Sequence, residues 1–247
     1  MKMPVPMLRG RLLRRYKRFL ADIALDDGRE ITAHCPNPGS MMGLKEEGMT
    51  VWVSPAANPK AKLGWRWDFA RRSDGILAGI NTNVPNKLVK EALTEGRIAE
   101  VAGYPDIRPE MRYREGSRVD FLLSGAGLPP CYLEVKNVHL MRTPGLVEFP
   151  DSVTARGARH MRDLAAMRAE GARAVVLFVV QMTGAGRMAL AADLDPGYAR
   201  AFAEARAAGV EALAYACRID DPDGDAPQIT LAQRVPLSEP WSDRRPS

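Results

Sequence analysis

The spacing of apolar and polar residues changes character near residue 81. Before that point, short runs in which apolar and polar side chains alternate are separated by loops rich in Pro, Gly and Asn, at 36–43 and 55–64. Such runs predict β-strands joined by turns. The predicted strands are 19–25, 30–35, 49–54, 65–69 and 76–80. About five short strands with turns between them favour a small antiparallel barrel of the OB-like type.

After residue 81 the pattern predicts helices alternating with strands. Asn83 begins a helix with Pro85 in its first turn, and Gly96 ends it. The later predicted elements are strands at 110–114, 118–123 and 131–138, a helix capped by Asp151 that runs to Glu170, a buried strand at 174–180, a helix at 196–208 and a strand at 210–217. An antiparallel start followed by crossovers predicts a mixed sheet flanked by helices, in an α/β (α+β) chain.

Composition narrows the class of protein. The chain has 247 residues, of which 46% are apolar, so it can bury a sizeable core. Its net charge of +5 is a weak indication of a polyanionic partner. Three widely spaced cysteines and three histidines argue against a disulfide framework, a zinc ribbon or a His-rich metal site, and they favour a reducing cytoplasm. No apolar run is long enough to cross a membrane, so no membrane association is expected.

The candidate chemistry lies in two of the predicted strands. Glu134 and Lys136 are two residues apart, so they project from the same face of one strand, and Asp120 lies in the preceding strand. Two carboxylates supply oxygen ligands for Mg²⁺ or Mn²⁺, with the carbonyl of Val135 as a further ligand. A lysine beside them can orient water or stabilise charge during phosphodiester hydrolysis. The order of elements is that of the PD-(D/E)xK nuclease fold, so Asp120, Glu134 and Lys136 are the predicted catalytic residues.

Other charged residues extend this hypothesis. Glu91 and Glu95, four residues apart on the preceding helix, are candidates for an additional acid. Arg156, near the start of the helix that follows the three strands, is a candidate phosphate contact. The competing interpretation is that all of these are ordinary surface charges, including a cross-strand salt bridge between the two strands.

The N-terminal segment is the strongest candidate for binding nucleic acid. Residues 1–18 are basic without a single acid, and the aromatic residues Tyr16 and Phe19 lie among or directly beside the cations. The predicted contacts are Arg11, Arg14, Arg15, Lys17 and Arg18, together with Asn37 and Ser40 of the stiff loop 34–40. The expected partner is DNA, or RNA. A solvated basic strand and a structural turn are the alternatives.

Six blocks of sequence resemble the sugar fermentation stimulation protein A (SfsA) family. They are RRYKRFLAD at 14–22, HCPNPGSM at 34–41, SRVDFLL at 117–123, CYLEVKNV at 131–138, EFPDSVTARGARH at 148–160 and GVEALAY at 209–215. The resemblance implies an OB-like nucleic-acid-binding domain at 1–82, a restriction-endonuclease-like PD-(D/E)xK domain at 83–247, non-specific DNA binding and a link to sugar (maltose) metabolism. The family tends to have an acid where this chain has Ala155, which argues against an essential carboxylate on that helix.

Two functions therefore compete. The first is a Mg²⁺-dependent nuclease of little sequence specificity, acting on DNA or RNA. The second is a catalytically silent DNA-binding regulator linked to sugar metabolism. A sugar-processing enzyme has little support, since no phosphate-binding glycine loop is present. The sequence leaves open whether the chain forms a homodimer.

Overall fold

The computed structural model describes residues 1–114 and 117–238. The first six strands form one sheet in the order β3-β2-β1-β4-β5-β6, and a parallel bridge between His34 and Arg66 joins β3 to β5 and closes a five-stranded barrel. Their bounds are β1 Leu8–Tyr16, β2 Leu20–Leu25, β3 Glu30–His34, β4 Thr50–Pro55, β5 Trp65–Arg71 and β6 Leu77–Gly79. The predicted OB-like barrel is confirmed.

The first strand of the barrel is missing from the predicted set. In β1 only Gly10 and Leu12 are buried, and arginines occupy exposed positions. The segment therefore lacks the alternation of apolar and polar residues that would predict a strand. A side chain at Gly10 would lie 2.5 Å from the carbonyl oxygen of Ala24, which shows how closely β1 approaches β2 at this point. The strand is specified by pairing on both sides, with β2 and with β4, rather than by local pattern.

The remaining elements form a second sheet with helices on both faces. Its strand order is β15-β14-β12-β9-β8-β7, with β9, β12 and β14 parallel and the outer pairs antiparallel. The bounds are α1 Val84–Thr94, a 3₁₀ turn Ala99–Val101, β7 Asp106–Arg114, β8 Ser117–Ser124, β9 Cys131–Val138, α2 Ala155–Ala169, β12 Arg173–Val180, α3 Pro196–Ala207, β14 Glu211–Asp220 and β15 Gln228–Arg234. The predicted mixed sheet flanked by helices is confirmed.

The continuous apolar run of β12 places that strand at the centre of this sheet. Its last seven residues are all buried. Val176 and Phe178 pack into the core beneath α2 and α3, whereas Val175 and Leu177 pack on the opposite side with α1. A strand covered by helices on both faces has no solvated side, so it shows no alternation of polar residues.

Two further features differ from the sequence prediction. A small third sheet of β10 Leu140–Thr143, β11 Leu146–Phe149 and β13 Arg187–Leu190 was not predicted, because each strand has only four residues. The predicted cap of α2 is also wrong: Thr154 caps that helix by accepting from the amide of Gly157 at 3.0 Å, and Asp151 has other partners. Within the described part of the chain, no helix is long and apolar enough to span a membrane.

Candidate functional site

Asp120 and Glu134 meet where the ladder between β8 and β9 ends. The paired positions run from Leu123 and Cys131 to Phe121 and Leu133, so the next residues along the hairpin are Asp120 and Glu134. Beyond this point the side chain of Asp120, rather than its backbone, bonds to β9, because its Oδ2 accepts from the amide of Val135 at 2.7 Å. The two strands therefore separate around a carboxylate.

A side chain from α1 also reaches Asp120. Asn86, in the first turn of that helix, donates from Nδ2 to Asp120 Oδ1 at 2.8 Å. Both oxygens of Asp120 thus have a donor, which fixes the plane of the carboxylate. Asn86 was not among the sequence candidates, because the pattern of α1 indicates only its apolar stripe and not the contacts of its first turn.

Glu134 and Lys136 lie on the same face of β9, as the strand period predicts. Lys136 Nζ donates to Glu134 Oε1 at 2.8 Å, and the Glu134 side chain is only 4% exposed. His160 of α2 donates to the same oxygen from Nδ1. The other oxygen, Glu134 Oε2, is buried and has no hydrogen-bond partner among the residues that the structure describes.

Arg156 determines which ring nitrogen of His160 carries the proton. Its Nε–H donates to His160 Nε2 at 3.3 Å, and a guanidinium can only donate. His160 Nε2 must therefore accept, which leaves the proton on Nδ1, the atom that faces Glu134. Because His160 and Lys136 both occupy Oε1, the free lone pairs of the carboxylate are concentrated on Oε2.

The electrostatics of the two carboxylates differ. Burial and the nearby charge of Glu134 raise the pKa of Asp120, and its hydrogen bonds from Val135 and Asn86 only partly oppose this. Burial would also raise the pKa of Glu134, but the charge of Lys136 and the hydrogen bonds from His160 and Lys136 together lower it. Two acidic groups, one buried and one half-buried, thus lie beside a single ammonium, that of Lys136.

The same space holds an unpartnered phenol. Tyr113 of β7 has a buried hydroxyl without a hydrogen-bond partner in the described chain. Burial, followed by the negative charge of Glu134, raises its pKa. The ring of Tyr113 packs against Tyr132, with centroids 5.4 Å apart.

A divalent cation fits this donor set. Within residues 1–114 and 117–238, no three Asp, Glu, His or Cys side chains converge into a ready-made cage. The protein oxygens that would serve as ligands are the Asp120 carboxylate and the unpartnered Glu134 Oε2, and a role for the Val135 carbonyl stays a prediction from the sequence. Sites with one or two carboxylates, completed by water and phosphate oxygens, are characteristic of Mg²⁺.

The two candidate acids on α1 lie elsewhere. Glu91 accepts from the Met1 ammonium at 3.0 Å and from Arg97 Nη2 at 3.0 Å, and Glu95 accepts from Arg97 Nε at 2.6 Å. These contacts turn both acids toward β15 and the N-terminus instead of toward Asp120. The structure therefore gives α1 a different contribution to the site, the amide of Asn86.

A second polar network joins the site strand to the barrel. Gln181 Nε2 donates to the carbonyl of Asn81 at 3.2 Å and to Asn137 Oδ1 at 2.8 Å. Asn137 Nδ2 lies 3.0 Å from His139 Nδ1, which continues the chain of hydrogen bonds past the end of β9. Asn137 follows Lys136 directly, so this network begins on the strand that carries the candidate catalytic residues.

The network ends on the barrel loop 36–41. His139 Nε2 donates to Asp151 Oδ2 at 3.2 Å, and the same oxygen accepts from the amide of Met41 at 3.1 Å. A Cβ atom at Gly39 would lie 2.8 Å from that oxygen, so the loop can approach Asp151 this closely only with glycine. Sequence patterns missed this contact because its partners are 110 residues apart.

The predicted nucleic-acid contacts fall into two groups. Arg11 and Arg14 are exposed on β1, with Arg14 paired to Asp22, and Lys17 and Arg18 form the exposed turn between β1 and β2. By contrast, Arg15 donates through Nη2 to the carbonyls of Arg18, Asn37 and Gly39.

The loop residues also divide by exposure. Asn37 is only 1% exposed, and its Oδ1 accepts from the Gly39 amide at 2.9 Å. Ser40 is half-buried and Arg156 is exposed beside His160. Arg15 and Asn37 thus hold the loop in shape, and the contacts of all these residues with nucleic acid stay a prediction.

The fold and the site together define a class: an OB barrel followed by a restriction-endonuclease-like mixed sheet that carries a buried Glu134 with the half-buried Asp120 and Lys136 beside it. Two family models match, "SfsA N-terminal OB domain" over residues 13–80 and "Sugar fermentation stimulation protein RE domain" over residues 83–223. The chain belongs to the sugar fermentation stimulation protein (SfsA) family.

Individual relatives agree with this assignment. Proteins named sugar fermentation stimulation protein homolog are 54% identical in Ruegeria sp. (strain TM1040), over 91% of this chain and 96% of the relative, and 52% identical in Caulobacter vibrioides, over 89% and 91%. A solved structure, Pyrococcus furiosus SfsA in complex with Ca²⁺, superposes with a TM-score of 0.85 over 97% of this chain and 98% of that one. At 23% identity, that likeness shows the fold.

Proposed function

We propose that this protein is a metal-dependent nuclease of the PD-(D/E)xK type that binds DNA or RNA without sequence specificity. The observation that carries the proposal is Glu134 Oε2, a buried carboxylate oxygen that has no hydrogen-bond partner within residues 1–114 and 117–238. An orphaned acceptor in a dry pocket costs stability, so its retention favours a ligand that the protein alone does not supply.

The chemistry of the donors supports a hard cation at this position. Asp120, Glu134 and the carbonyl of Val135 would hold Mg²⁺ or Mn²⁺. When bound, such an ion supplies charge neutralisation at a phosphate and makes a nearby water more acidic. The Pyrococcus furiosus relative is described in complex with Ca²⁺, another cation that takes oxygen ligands.

The chain's own groups have separable roles in this proposal. Lys136, whose side chain is only 11% exposed, places an ammonium where negative charge develops as the phosphodiester is attacked. His160 and Lys136 hold Oε1 of Glu134 and so orient the carboxylate. The exposed guanidinium of Arg156 is free on its outer side to contact a non-bridging phosphate oxygen.

The second candidate is a nucleic-acid-binding regulator without cleavage activity. The names of the relatives, which refer to stimulation of sugar fermentation, favour such a role. The intact set of Asp120, Glu134 and Lys136 favours the enzyme, because a regulator gains nothing from keeping two carboxylates in a buried space.

A cleavage assay separates the two. Plasmid DNA, single-stranded DNA and RNA are incubated with Mg²⁺ or Mn²⁺ and the wild type, Asp120→Asn, Lys136→Ala or Glu95→Gln. We expect cleavage by the wild type and by Glu95→Gln, whose exposed carboxylate pairs with Arg97, and a loss of at least about 100-fold for the other two. Binding without cleavage of any substrate would favour the regulator.

Thermal unfolding gives a readout that does not depend on activity. A cation at ten times its dissociation constant should stabilise the wild type by about 1.4 kcal/mol, a shift of about 3–6 °C for a chain of this size. Glu134→Gln should remove the shift, whereas Lys136→Ala should keep it. An equal shift in Glu134→Gln would place the cation elsewhere.

A further inference from the structure

A cavity of about 330 Å³ opens on the barrel, away from the carboxylate cluster. His34, the last residue of β3, and Trp65, the first residue of β5, form its walls, and Leu63 adds apolar surface. Residues of the loop 56–64 line the rest of the cavity, and a hydrogen bond of 2.9 Å from the amide of Ala56 to the carbonyl of Gly64 closes the base of this loop. A volume near 300 Å³ is at the lower end for small-molecule sites and suits one planar heterocycle with part of its sugar.

Exposed aromatic rings continue from this cavity. Phe19, at the turn between β1 and β2, is 46% exposed, and its ring stacks on His34 with centroids 6.4 Å apart and an interplanar angle of 26°. Its partner His34 forms part of the cavity wall, so the two rings and the cavity form one surface. We call Phe19, His34 and Trp65 the aromatic face.

Cations border the aromatic face. The guanidinium carbon of Arg18 lies 6.0 Å from the ring centroid of Phe19, and that of Arg29 lies 5.7 Å from Trp65. Lys62 and Arg66 line the cavity itself.

Nearby acids offset only part of this charge. Asp27 pairs with Arg29, and the buried Asp68 pairs with Arg66. Arg18 and Lys62 have no ion pair within the described ranges, so two positive charges are available to an anionic backbone beside the rings.

These observations identify the chemistry of the occupant. An aromatic surface with a cationic border accommodates a flat, uncharged ring that is joined to phosphates. Bases of a duplex are stacked on each other and cannot offer their faces, whereas unpaired bases can. We propose that the aromatic face binds unpaired bases of single-stranded DNA or RNA, one in the cavity and a neighbour on Phe19, with phosphates at Arg18 and Lys62. The proposal rests on the proposed function and names the form of nucleic acid that the barrel holds.

The test compares two probes with equal phosphates. Fluorescence anisotropy measures binding of an oligothymidine and of an abasic oligomer of the same length, in EDTA so that nothing is cut. Since stacking contributes about 1–3 kcal/mol per base, the wild type should prefer the oligothymidine by about tenfold or more. Phe19→Ala should lose the contribution of one of the two bases, a drop of about fivefold or more in this preference, and Phe19→Tyr should keep it.

A duplex and a stability measurement complete the experiment. Phe19→Ala should bind a duplex of the same length like the wild type, and its unfolding temperature should fall by only a few degrees, because about half of the Phe19 surface is exposed. Trp65→Phe should retain the preference for bases, as a smaller ring still stacks.

Two results would overturn the proposal: equal affinity of the wild type for both single-stranded probes, or an unchanged preference in Phe19→Ala. Either result leaves cleavage and the cation-dependent thermal shift at Glu134 intact. Conversely, a failure of cleavage leaves the anisotropy result unaffected, so the two proposals fail separately.

Discussion

Replacing Asp151 by asparagine tests whether charge ties the barrel loop to the sheet domain. The Asp151 side chain is only 16% exposed and accepts hydrogen bonds from His139 and from the amide of Met41. Burial alone would raise its pKa, but these hydrogen bonds prevail and lower the pKa from 3.8 to about 2. At about 1.4 kcal/mol per pKa unit, the ionised carboxylate stabilises the fold by about 2 kcal/mol at neutral pH.

The sign of the pH dependence follows from the lowered pKa. The stabilisation is fully present above the pKa of the unfolded chain and is lost as pH falls toward the pKa of the folded one. Near pH 3, between the two values, about half remains, or about 1 kcal/mol. Asparagine does not ionise, so the difference in unfolding free energy between wild type and Asp151→Asn should narrow between about pH 5 and about pH 3.

Urea unfolding of both proteins across this pH range measures the difference directly. Near neutral pH we expect Asp151→Asn to be about 2 kcal/mol less stable, equivalent to about 4–8 °C in unfolding temperature. Asp27→Asn is the matched control, since it removes an exposed carboxylate that pairs only with Arg29, and it should change little. A constant difference down to about pH 3 would mean that lost geometry, not lost charge, weakens the tie.

Three further substitutions test neighbouring contacts. His160→Asn keeps a hydrogen-bond donor near the position of Nδ1 and should retain cation affinity. His160→Gln has no donor at that position, so Glu134 loses an orienting hydrogen bond. Titration calorimetry should then show a cation affinity about tenfold weaker than that of the wild type. Gly39→Ala should cost about 1–3 kcal/mol in urea unfolding, since its Cβ would displace the Asp151 carboxylate, and a smaller cost in an Asp151→Ala background would confirm that contact. Arg15→Lys should cost about 1–3 kcal/mol, because all three carbonyls are reached from Nη2 and a lysine side chain ends one bond short of that atom; an unchanged unfolding midpoint would contradict this.

Local periodicity was sufficient to predict the strand part of the site. Glu134 and Lys136 face the same side of β9 because every second residue of a strand does so. The uninterrupted apolar run of β12 likewise required a strand buried on both faces. These properties depend only on residues near each other in the chain.

The contributions of helices and loops could not be predicted in the same way. Periodicity indicates the apolar stripe of α2, but it does not show that His160, beside that stripe, would reach Glu134 on another element. Asp151 fits the pattern of a helix cap as well as Thr154 does, and only the approach of Met41, 110 residues away, decides between them. Glu91 and Glu95 were proposed for the site by their spacing, although Arg97 holds both of them.

Under the proposed function, the network around Asp151 would let the barrel and the mixed sheet act on one substrate. β9 presents Lys136 to the carboxylate cluster, and its next residue, Asn137, enters the chain of hydrogen bonds that ends on the barrel loop. The orientation of the barrel is therefore set relative to the very strand that carries the candidate catalytic groups. Phosphodiester hydrolysis requires the scissile phosphate to be placed to within a fraction of an ångström. In the proposed function, a strand of nucleic acid held on the barrel would reach Lys136 in a defined position because both ends of this network are fixed. If a flexible linker joined the two domains instead, Asp120, Glu134 and Lys136 would keep their arrangement, but a strand bound to the barrel would no longer reach them in a defined position.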